Sequence, residues 1–138
     1  EDAALSFSVA QIDNNIIDEV NILNATFLAM QNAIDQLSIE PEILLIDGNR
    51  FNPYKNFKHL SIVKGDSLYL SIAAASILAK TYRDDYMNEI DIEFPEYDLK
   101  KNKGYPTIKH KKAIIKYGLT KYHRKSFNFA IQTKLDFS

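Results

Sequence analysis

The feature that most constrains the fold is the stretch ILLIDGNR at residues 43–50, where four aliphatic residues lead directly into Asp47 and Gly48. A short, continuous apolar run is typical of a central strand that is covered on both faces, as in parallel sheets. A helix is predicted before this strand, because apolar residues recur at steps of three and four: Val20, Leu23, Phe27, Met30, Ile34 and Leu37. A helix followed by a buried strand favours an α/β fold.

Local patterns predict four further elements. Residues 6–13 alternate well enough for a strand, and residues 57–66 contain a second strand that ends in Lys-Gly-Asp. The composition of residues 67–90 predicts one long helix, whose small side chains allow close packing on a sheet. Thr107 can cap a final helix that Gly118 ends.

Length and composition exclude several classes of protein. A chain of 138 residues with 46% hydrophobic content fits one compact domain. It contains no cysteine, which excludes disulfides, thiolate zinc sites and a cysteine nucleophile. The sequence has no run of about 18 apolar residues, and residues 1–11 carry no signal-peptide pattern. We therefore expect a soluble, cytoplasmic chain without a membrane partner.

The near-zero net charge conceals a strong asymmetry along the chain. Residues 1–98 hold six Lys and Arg against 17 Asp and Glu, whereas residues 99–138 hold eleven against one. The basic part interleaves lysines with aromatic and histidine side chains, a combination that suits the phosphates, sugars and bases of nucleic acid. Neutralisation of the chain's own acidic part explains the same pattern equally well, so both interpretations stay open.

Two carboxylates directly follow predicted strands, Asp47 after ILLI and Asp66 after SIVKG. Sites in open α/β sheets assemble at strand ends, and paired carboxylates suit Mg²⁺ or Mn²⁺. Asp-Gly is also a common turn pair, and Asp66 can begin or cap the helix that follows it. Spacing alone does not decide between a metal site and a structural role.

Three long blocks, taken together, resemble ribonuclease HII, the type 2 ribonuclease H, in its bacterial form. They are LLIDGNR, IVKGDSLYLSIAAASILAKTYRDDYM and KGYPTIKHKKAIIKYGLTKYHRKSF, and the resemblance runs from Asn21 to Phe127. It implies a ribonuclease H-like α/β fold, with a mixed sheet flanked by helices. It also implies a nuclease with Mg²⁺ or Mn²⁺ as cofactor, which cleaves the RNA strand of RNA/DNA hybrids and nicks DNA 5′ of embedded ribonucleotides.

The resemblance implies catalytic and metal-binding roles for Asp47 and Asp66, which match the family's third and fourth catalytic aspartates. Asp84 resembles a supporting residue of the family, because it lies well inside the predicted helix, and we prefer Asp66. Tyr105 matches the tyrosine that packs on the sugar beside the ribonucleotide. From the basic segment, we expect these side chains to contact the duplex: Lys109, Lys111, Lys112, Lys121 and Arg124.

One block of the family has no counterpart in these 138 residues. The sequence Gly-Ile-Asp-Glu-Ala-Gly-Arg-Gly, which in the family supplies two more carboxylates and contacts to the ribose 2′-hydroxyl, does not occur. We therefore expect residues 1–127 to be a partial catalytic domain that lacks its N-terminal strands and is poorly active and marginally stable alone. A non-catalytic nucleic-acid-binding module and another metal-dependent nuclease of the ribonuclease H-like fold are the alternatives.

Residues 128–138 are interpreted as a C-terminal tail, in which Gln132, Leu135 and Phe137 give a Gln-x-x-Leu-x-Phe pattern. This pattern resembles the short peptides that bacterial replication proteins insert into sliding clamps, where apolar anchors fill a preformed pocket. Packing of Phe129, Ile131 and Leu135 back onto the fold is the alternative that we favour.

Overall fold

The structure, a computed structural model, describes residues 4–127. In chain order its elements are helices α1 (Asn14–Val20) and α2 (Ile22–Asp35), strands β1 (Ile43–Asp47) and β2 (Lys58–Ile62), and helices α3 (Leu70–Glu93), α4 (Leu99–Asn102) and α5 (Ile108–Tyr117). Short 3₁₀ helices lie at Gly65–Ser67 and Pro95–Tyr97. The chain divides between Tyr82 and Arg83 into an N-terminal and a C-terminal compact unit.

The N-terminal unit packs α2 against a parallel pair of strands. The register runs from Ile43 opposite Lys58 to Asp47 opposite Ile62. The core of this unit joins the apolar stripe of α2 to one face of β1: Phe27, Leu44, Ile46 and Phe51, with Met30 and Ile34 packed against them. The α/β class, the stripe and both of these strands are as the sequence predicted.

Coverage of β1 differs from the expectation. Burial alternates along the strand, with Leu44 and Ile46 buried and Ile43 and Asp47 exposed. The core of this unit lies on the face that carries Leu44 and Ile46, and Leu45 on the other face is half-buried. The expectation of a strand buried on both faces is therefore wrong for the described part of the chain, because the second face is only partly covered.

Residues 6–13 do not form the predicted strand. Instead, Ser8 Oγ donates to the carbonyl of Ala33, and the Ser38 N–H donates to Ser6 Oγ at 3.0 Å. The segment is thus tied to the end of α2 by side chains, and within residues 4–127 it has no neighbouring strand. Alternation is not sufficient for a strand, because the backbone also needs a partner for its ladder of hydrogen bonds.

The first helical region is broken where the sequence predicted continuity. Asn21 adopts φ 70°, and its side chain caps α2 by accepting from the N–H groups of Leu23 and Asn24 at 3.0 and 3.1 Å. Asparagine tolerates positive φ better than most residues, and its short amide competes with the helix backbone. The apolar stripe therefore begins on α1 and continues on α2.

The C-terminal unit is built on the second half of α3. Its core contains Ile90, Tyr97, Leu99 and Ala113. α5 begins as predicted, with Thr107 Oγ1 accepting from the His110 N–H at 3.2 Å, and ends at Gly118, which has φ 85°. The predicted long helix is also confirmed, since α3 spans Leu70–Glu93.

Candidate active site and nucleic-acid interface

The carboxyl ends of β1 and β2 meet at one edge of the sheet, because the strands are parallel. The last rung of the ladder places Asp47 opposite Ile62. The Gly48 N–H extends the pairing by donating to the Ile62 carbonyl at 3.0 Å. Backbone hydrogen bonds therefore fix the position from which the Asp47 side chain projects.

A glycine brings the next segment against Asp47. Lys64 turns the chain with φ 56°, and the Gly65 N–H then donates to Asp47 Oδ1 at 2.9 Å. Gly65 is buried, and a Cβ at this position would lie 2.6 Å from Ile72 Cδ1. Close approach thus favours glycine here. Since Asp66 follows Gly65 directly, both predicted aspartates lie at the same edge of the sheet.

The two carboxylates have free oxygens for a hard cation. Both residues are exposed, and the Asp66 side chain makes no hydrogen bond or ion pair with a residue in 4–127. Mg²⁺ is commonly held by one or two carboxylates, with waters and substrate phosphates completing its octahedron. In the described part of the chain, no group of three or more His, Asp or Glu residues is arranged to hold a metal ion. Two carboxylates are ligands of the type that such an ion requires, and the metal site at this edge stays a prediction.

Asp84 lies in the C-terminal unit, where α3 anchors a turn. Its carbonyl accepts from Lys103 Nζ at 3.2 Å, and Arg83 donates to the Lys103 carbonyl at 3.1 Å. Lys103 has φ 51° and leads into Gly104, so these bonds hold a left-handed turn against the helix. The contacts support a structural role for this stretch, and the preference for Asp66 over Asp84 stays a prediction.

Tyr105 combines an exposed ring with a fixed backbone. The residue is 70% exposed. Its N–H donates to the Asn102 carbonyl at 2.8 Å, and its carbonyl accepts from the Thr107 N–H at 2.8 Å and from His110 Nδ1 at 3.1 Å. An exposed aromatic ring on an ordered backbone is suited to stacking on a sugar or base.

Two of the predicted duplex-binding lysines are paired with acids of their own unit. Lys109 lies 2.9 Å from Asp98, and Lys121 lies 2.7 Å from Glu93. The hydrogen bond from Lys109 lowers the pKa of Asp98, and that from Lys121 lowers the pKa of Glu93. Internal neutralisation therefore accounts for part of the basic segment.

The other basic side chains of the prediction lie in different surroundings. Lys112 is exposed and Lys111 is half-buried, and neither forms an ion pair with a residue in 4–127. The Arg124 guanidinium lies over the Phe127 ring, 4.4 Å from its centroid. Among the predicted contacts, Lys112 thus offers an exposed charge for a phosphate without an ion pair to break.

Sequence reasoning placed His110 and His123 in the basic segment but missed that they form a buried pair. The two residues are 3% and 8% exposed, and their Nε2 atoms lie 3.0 Å apart. One local signal existed, because His110 lies three residues before Ala113 on the buried face of α5. Its partner follows after the end of that helix, and no periodicity encodes such a contact.

Comparisons with known proteins agree on one family. The sequence model described as Ribonuclease HII matches residues 1–130. Ribonuclease HII of Christiangramia forsetii is 56% identical over 138 residues, covering 99% of this chain and 70% of the relative. Ribonuclease HII of Bacteroides thetaiotaomicron is 60% identical over 128 residues, covering 93% of this chain and 64% of the relative. The chain thus spans about two thirds of the length of these relatives.

A solved structure shares the fold. The crystal structure of ribonuclease H2 from Pyrococcus horikoshii OT3 matches with a TM-score of 0.68 at 20% sequence identity. The match covers 85% of this chain and 63% of the archaeal one. The ribonuclease H-like fold class predicted from the sequence is therefore confirmed.

Proposed function

Since the chain belongs to the ribonuclease HII family, we propose that it carries part of the active site of an endonuclease that cleaves the RNA strand of RNA/DNA hybrids and nicks duplex DNA 5′ of embedded ribonucleotides. One structural observation carries the proposal. The hydrogen bond from Gly65 to Asp47 places Asp66, the residue after Gly65, at the same edge of the parallel sheet as Asp47. In this proposal residues 1–127 belong to the catalytic domain and residues 128–138 to the tail.

Asp47 and Asp66 are the catalytic residues of the proposal and hold a Mg²⁺ or Mn²⁺ ion. A bound ion of this kind supplies Lewis-acid stabilisation of the charge that develops on the phosphodiester. Asp47 provides a ligand from a strand end that backbone pairing fixes, and Asp66 provides one from the adjoining turn. The fixed position of Asp47 limits the reorganisation needed at this ligand when the scissile phosphate arrives.

The substrate-binding part of the proposal lies in the C-terminal unit. The exposed ring of Tyr105 stacks on the sugar at the ribonucleotide junction, and these basic side chains contact phosphates: Lys109, Lys111, Lys112, Lys121 and Arg124. Lys109 and Lys121 must first leave Asp98 and Glu93, so they contribute less than Lys112.

Ion binding provides a direct test that needs no turnover. Calorimetric titration of the 138-residue chain with MnCl₂ is expected to show binding that Asp47→Asn and Asp66→Asn each remove, because each change deletes an anionic ligand. Glu40→Gln, an exposed acid of the same unit, is the matched control and leaves binding unchanged. Equal binding by all four proteins would refute the metal site.

Cleavage is tested in a longer chain that carries the N-terminal block of a Bacteroides relative before Glu1. On a duplex with one ribonucleotide, Asp47→Asn and Asp66→Asn are expected to lower nicking by orders of magnitude at unchanged circular dichroism. A duplex in which the ribonucleotide is replaced by deoxyribonucleotide separates this activity from that of another nuclease of the same fold. If the longer chain without substitutions binds the duplex but does not nick it, a non-catalytic binding module is favoured.

The expected sliding-clamp partner and the expected location both stay predictions. The structure does not test the sliding-clamp interaction or the tail, because Gln132, Leu135 and Phe137 lie outside the described residues. Within residues 4–127, no helix has both the length and the apolar character that a membrane span requires. Placement in the cytoplasm remains the expectation stated from the sequence.

A further inference from the structure

The buried histidine pair forms a hydrogen-bonded chain that ends on the backbone of Tyr105. Thr120 donates its N–H to His123 Nδ1 at 2.9 Å. His123 Nε2 lies 3.0 Å from His110 Nε2, and His110 Nδ1 lies 3.1 Å from the Tyr105 carbonyl. Every link joins residues of the C-terminal unit.

The partners fix where each proton lies. His123 Nδ1 accepts from the Thr120 backbone N–H, which can only donate, so the Thr120 hydroxyl at 2.8 Å from the same nitrogen also acts as a donor. The proton of the neutral His123 ring therefore sits on Nε2. That Nε2–H donates to His110 Nε2, and His110 must therefore carry its proton on Nδ1. The Tyr105 carbonyl accepts this last proton because it has no proton to donate. Two neutral histidines in opposite tautomers thus make one directional chain from Thr120 to Tyr105.

The surroundings of the pair hold both rings in place. Tyr97 packs against both rings, with centroids 6.2 Å from His110 and 5.2 Å from His123. The Tyr97 hydroxyl donates to the Gly118 carbonyl at 2.7 Å. Within residues 4–127, no buried side-chain nitrogen or oxygen lacks a partner. Fully satisfied buried polar networks are rigid, because each member restricts the orientation of the next.

The chain of bonds acts on a residue whose side chain is exposed and whose backbone is held by hydrogen bonds. The Tyr105 ring is exposed, whereas its carbonyl is held by Thr107 and His110 and its N–H by Asn102. We propose that His110 and His123 are positioning residues, which fix the backbone of Tyr105 and thereby aim its ring at the sugar of a bound duplex. The substrate side of this inference rests on the proposed function, and the ordering of Tyr105 does not.

The tautomers are tested in the unmodified chain. Long-range ¹⁵N–¹H correlation spectra at mildly alkaline pH are expected to show a neutral His110 protonated at Nδ1 and a neutral His123 protonated at Nε2. His59 is the third histidine of the chain, and substitution identifies its signals. The opposite tautomer at either ring would break the directional chain and overturn the proposal.

A matched pair of substitutions separates positioning from packing. In His110→Asn the amide nitrogen can occupy the place of Nδ1 and keep the bond to Tyr105, whereas in His110→Gln the amide reaches the place of Nε2 and loses that bond. The chain has no tryptophan, so Tyr105→Trp supplies a unique fluorescent reporter at an exposed site. We expect fluorescence anisotropy decay to show a restricted indole in the Asn variant and a freely moving one in the Gln variant.

Ala113→Gly in the same helix is the control for loss of stability alone, since it leaves both histidines in place. It is expected to lower the melting temperature without loosening the indole. If the Asn and Gln variants loosen the reporter equally, or if the control loosens it as much as Gln, the histidines act through packing and the inference is wrong.

Duplex binding tests the substrate side. With Tyr105 restored, preference for a duplex with one ribonucleotide over all-DNA duplex is expected to fall about tenfold in His110→Gln and to persist in His110→Asn. Loss of preference in Tyr105→Ala but not in His110→Gln would overturn the positioning role while sparing the proposed function. Absence of any duplex binding by the parent chain would refute the proposed interface, and the reporter would still decide whether the histidines order Tyr105.

Discussion

At the scale of single residues, the carboxylate site depends on a glycine. A Cβ on Gly65 would meet Ile72 Cδ1 at 2.6 Å and would also lie 3.5 Å from Asp47 Oδ1. Gly65→Ala is therefore expected to destabilise the chain by about 1 kcal/mol, because the flexible end of the isoleucine can shift only partly in a packed site. Urea denaturation measures this loss.

Ile72→Val supplies the control for this prediction, because it removes the Cδ1 atom that the new methyl would meet. In the double variant the cost of Gly65→Ala should fall well below its cost in the parent chain, which a double-mutant cycle reports as coupling. If the two losses in the free energy of unfolding are additive, the added methyl group clashes with an atom other than Ile72 Cδ1.

The pKa of His123 makes the C-terminal unit sensitive to acid. Burial lowers this pKa below its usual 6.5, and the nearby His110 lowers it further. Tyr97 also faces the ring but stays neutral, because burial raises its pKa, and the neighbouring Lys121 is paired with Glu93. Below about pH 6.5 the unfolded chain therefore binds a proton that the folded chain excludes. The free energy of unfolding should therefore be highest above this pH. It should decrease as the pH falls from about 6.5 through the lowered pKa of the folded state.

Urea denaturation between neutral and mildly acidic pH measures the effect. His123→Gln, which cannot titrate in this range, should show a shallower dependence on pH than the parent chain. An unchanged slope in the variant would mean that another group controls the acid response.

At the scale of elements, the sequence predicted what local rules control. β1, β2, the cap of α5 at Thr107 and its stop at Gly118 all follow from short-range patterns. Asn21 interrupts the first helix although the apolar periodicity continues across it. Its side chain bonds to the backbone N–H groups of the next turn and so starts a new helix. Local rules could not predict the bond from Gly65 to Asp47 or the histidine pair. Each contact joins residues that are far apart in sequence and depends on strand register or on the path of a turn.

The basic segment around α5 allows a graded prediction for duplex binding. In a plot of the logarithm of the duplex-binding constant against the logarithm of the salt concentration, Lys112→Ala is expected to reduce the magnitude of the negative slope by about one. The reason is that this change deletes one exposed charge. Lys109→Ala is expected to reduce this magnitude by less, since Lys109 is paired with Asp98. Binding titrations over a range of salt concentrations measure both slopes.

Asp98→Asn is the matched control for this prediction. Asp98 has φ 57°, which asparagine adopts readily, so the change removes a charge at little backbone cost. Freed from its partner, Lys109 should then contribute to the salt slope as Lys112 does. If none of these changes alters the salt dependence, the basic segment serves the fold and not the substrate.

At the scale of the whole molecule, the 138-residue chain carries exposed apolar surface that favours self-association. Leu70 and Ile77, one heptad apart on the same face of α3, are 87% and 65% exposed, and the preceding Leu68 is 68% exposed. Large exposed apolar patches are uncommon on monomeric soluble proteins and mark interaction sites or aggregation-prone surfaces. The expected result is concentration-dependent association in sedimentation velocity, reduced by the double change Leu70→Lys and Ile77→Lys. Leu5→Lys, at an exposed leucine outside this face, should leave association unchanged, and a monomer at all concentrations would contradict the prediction.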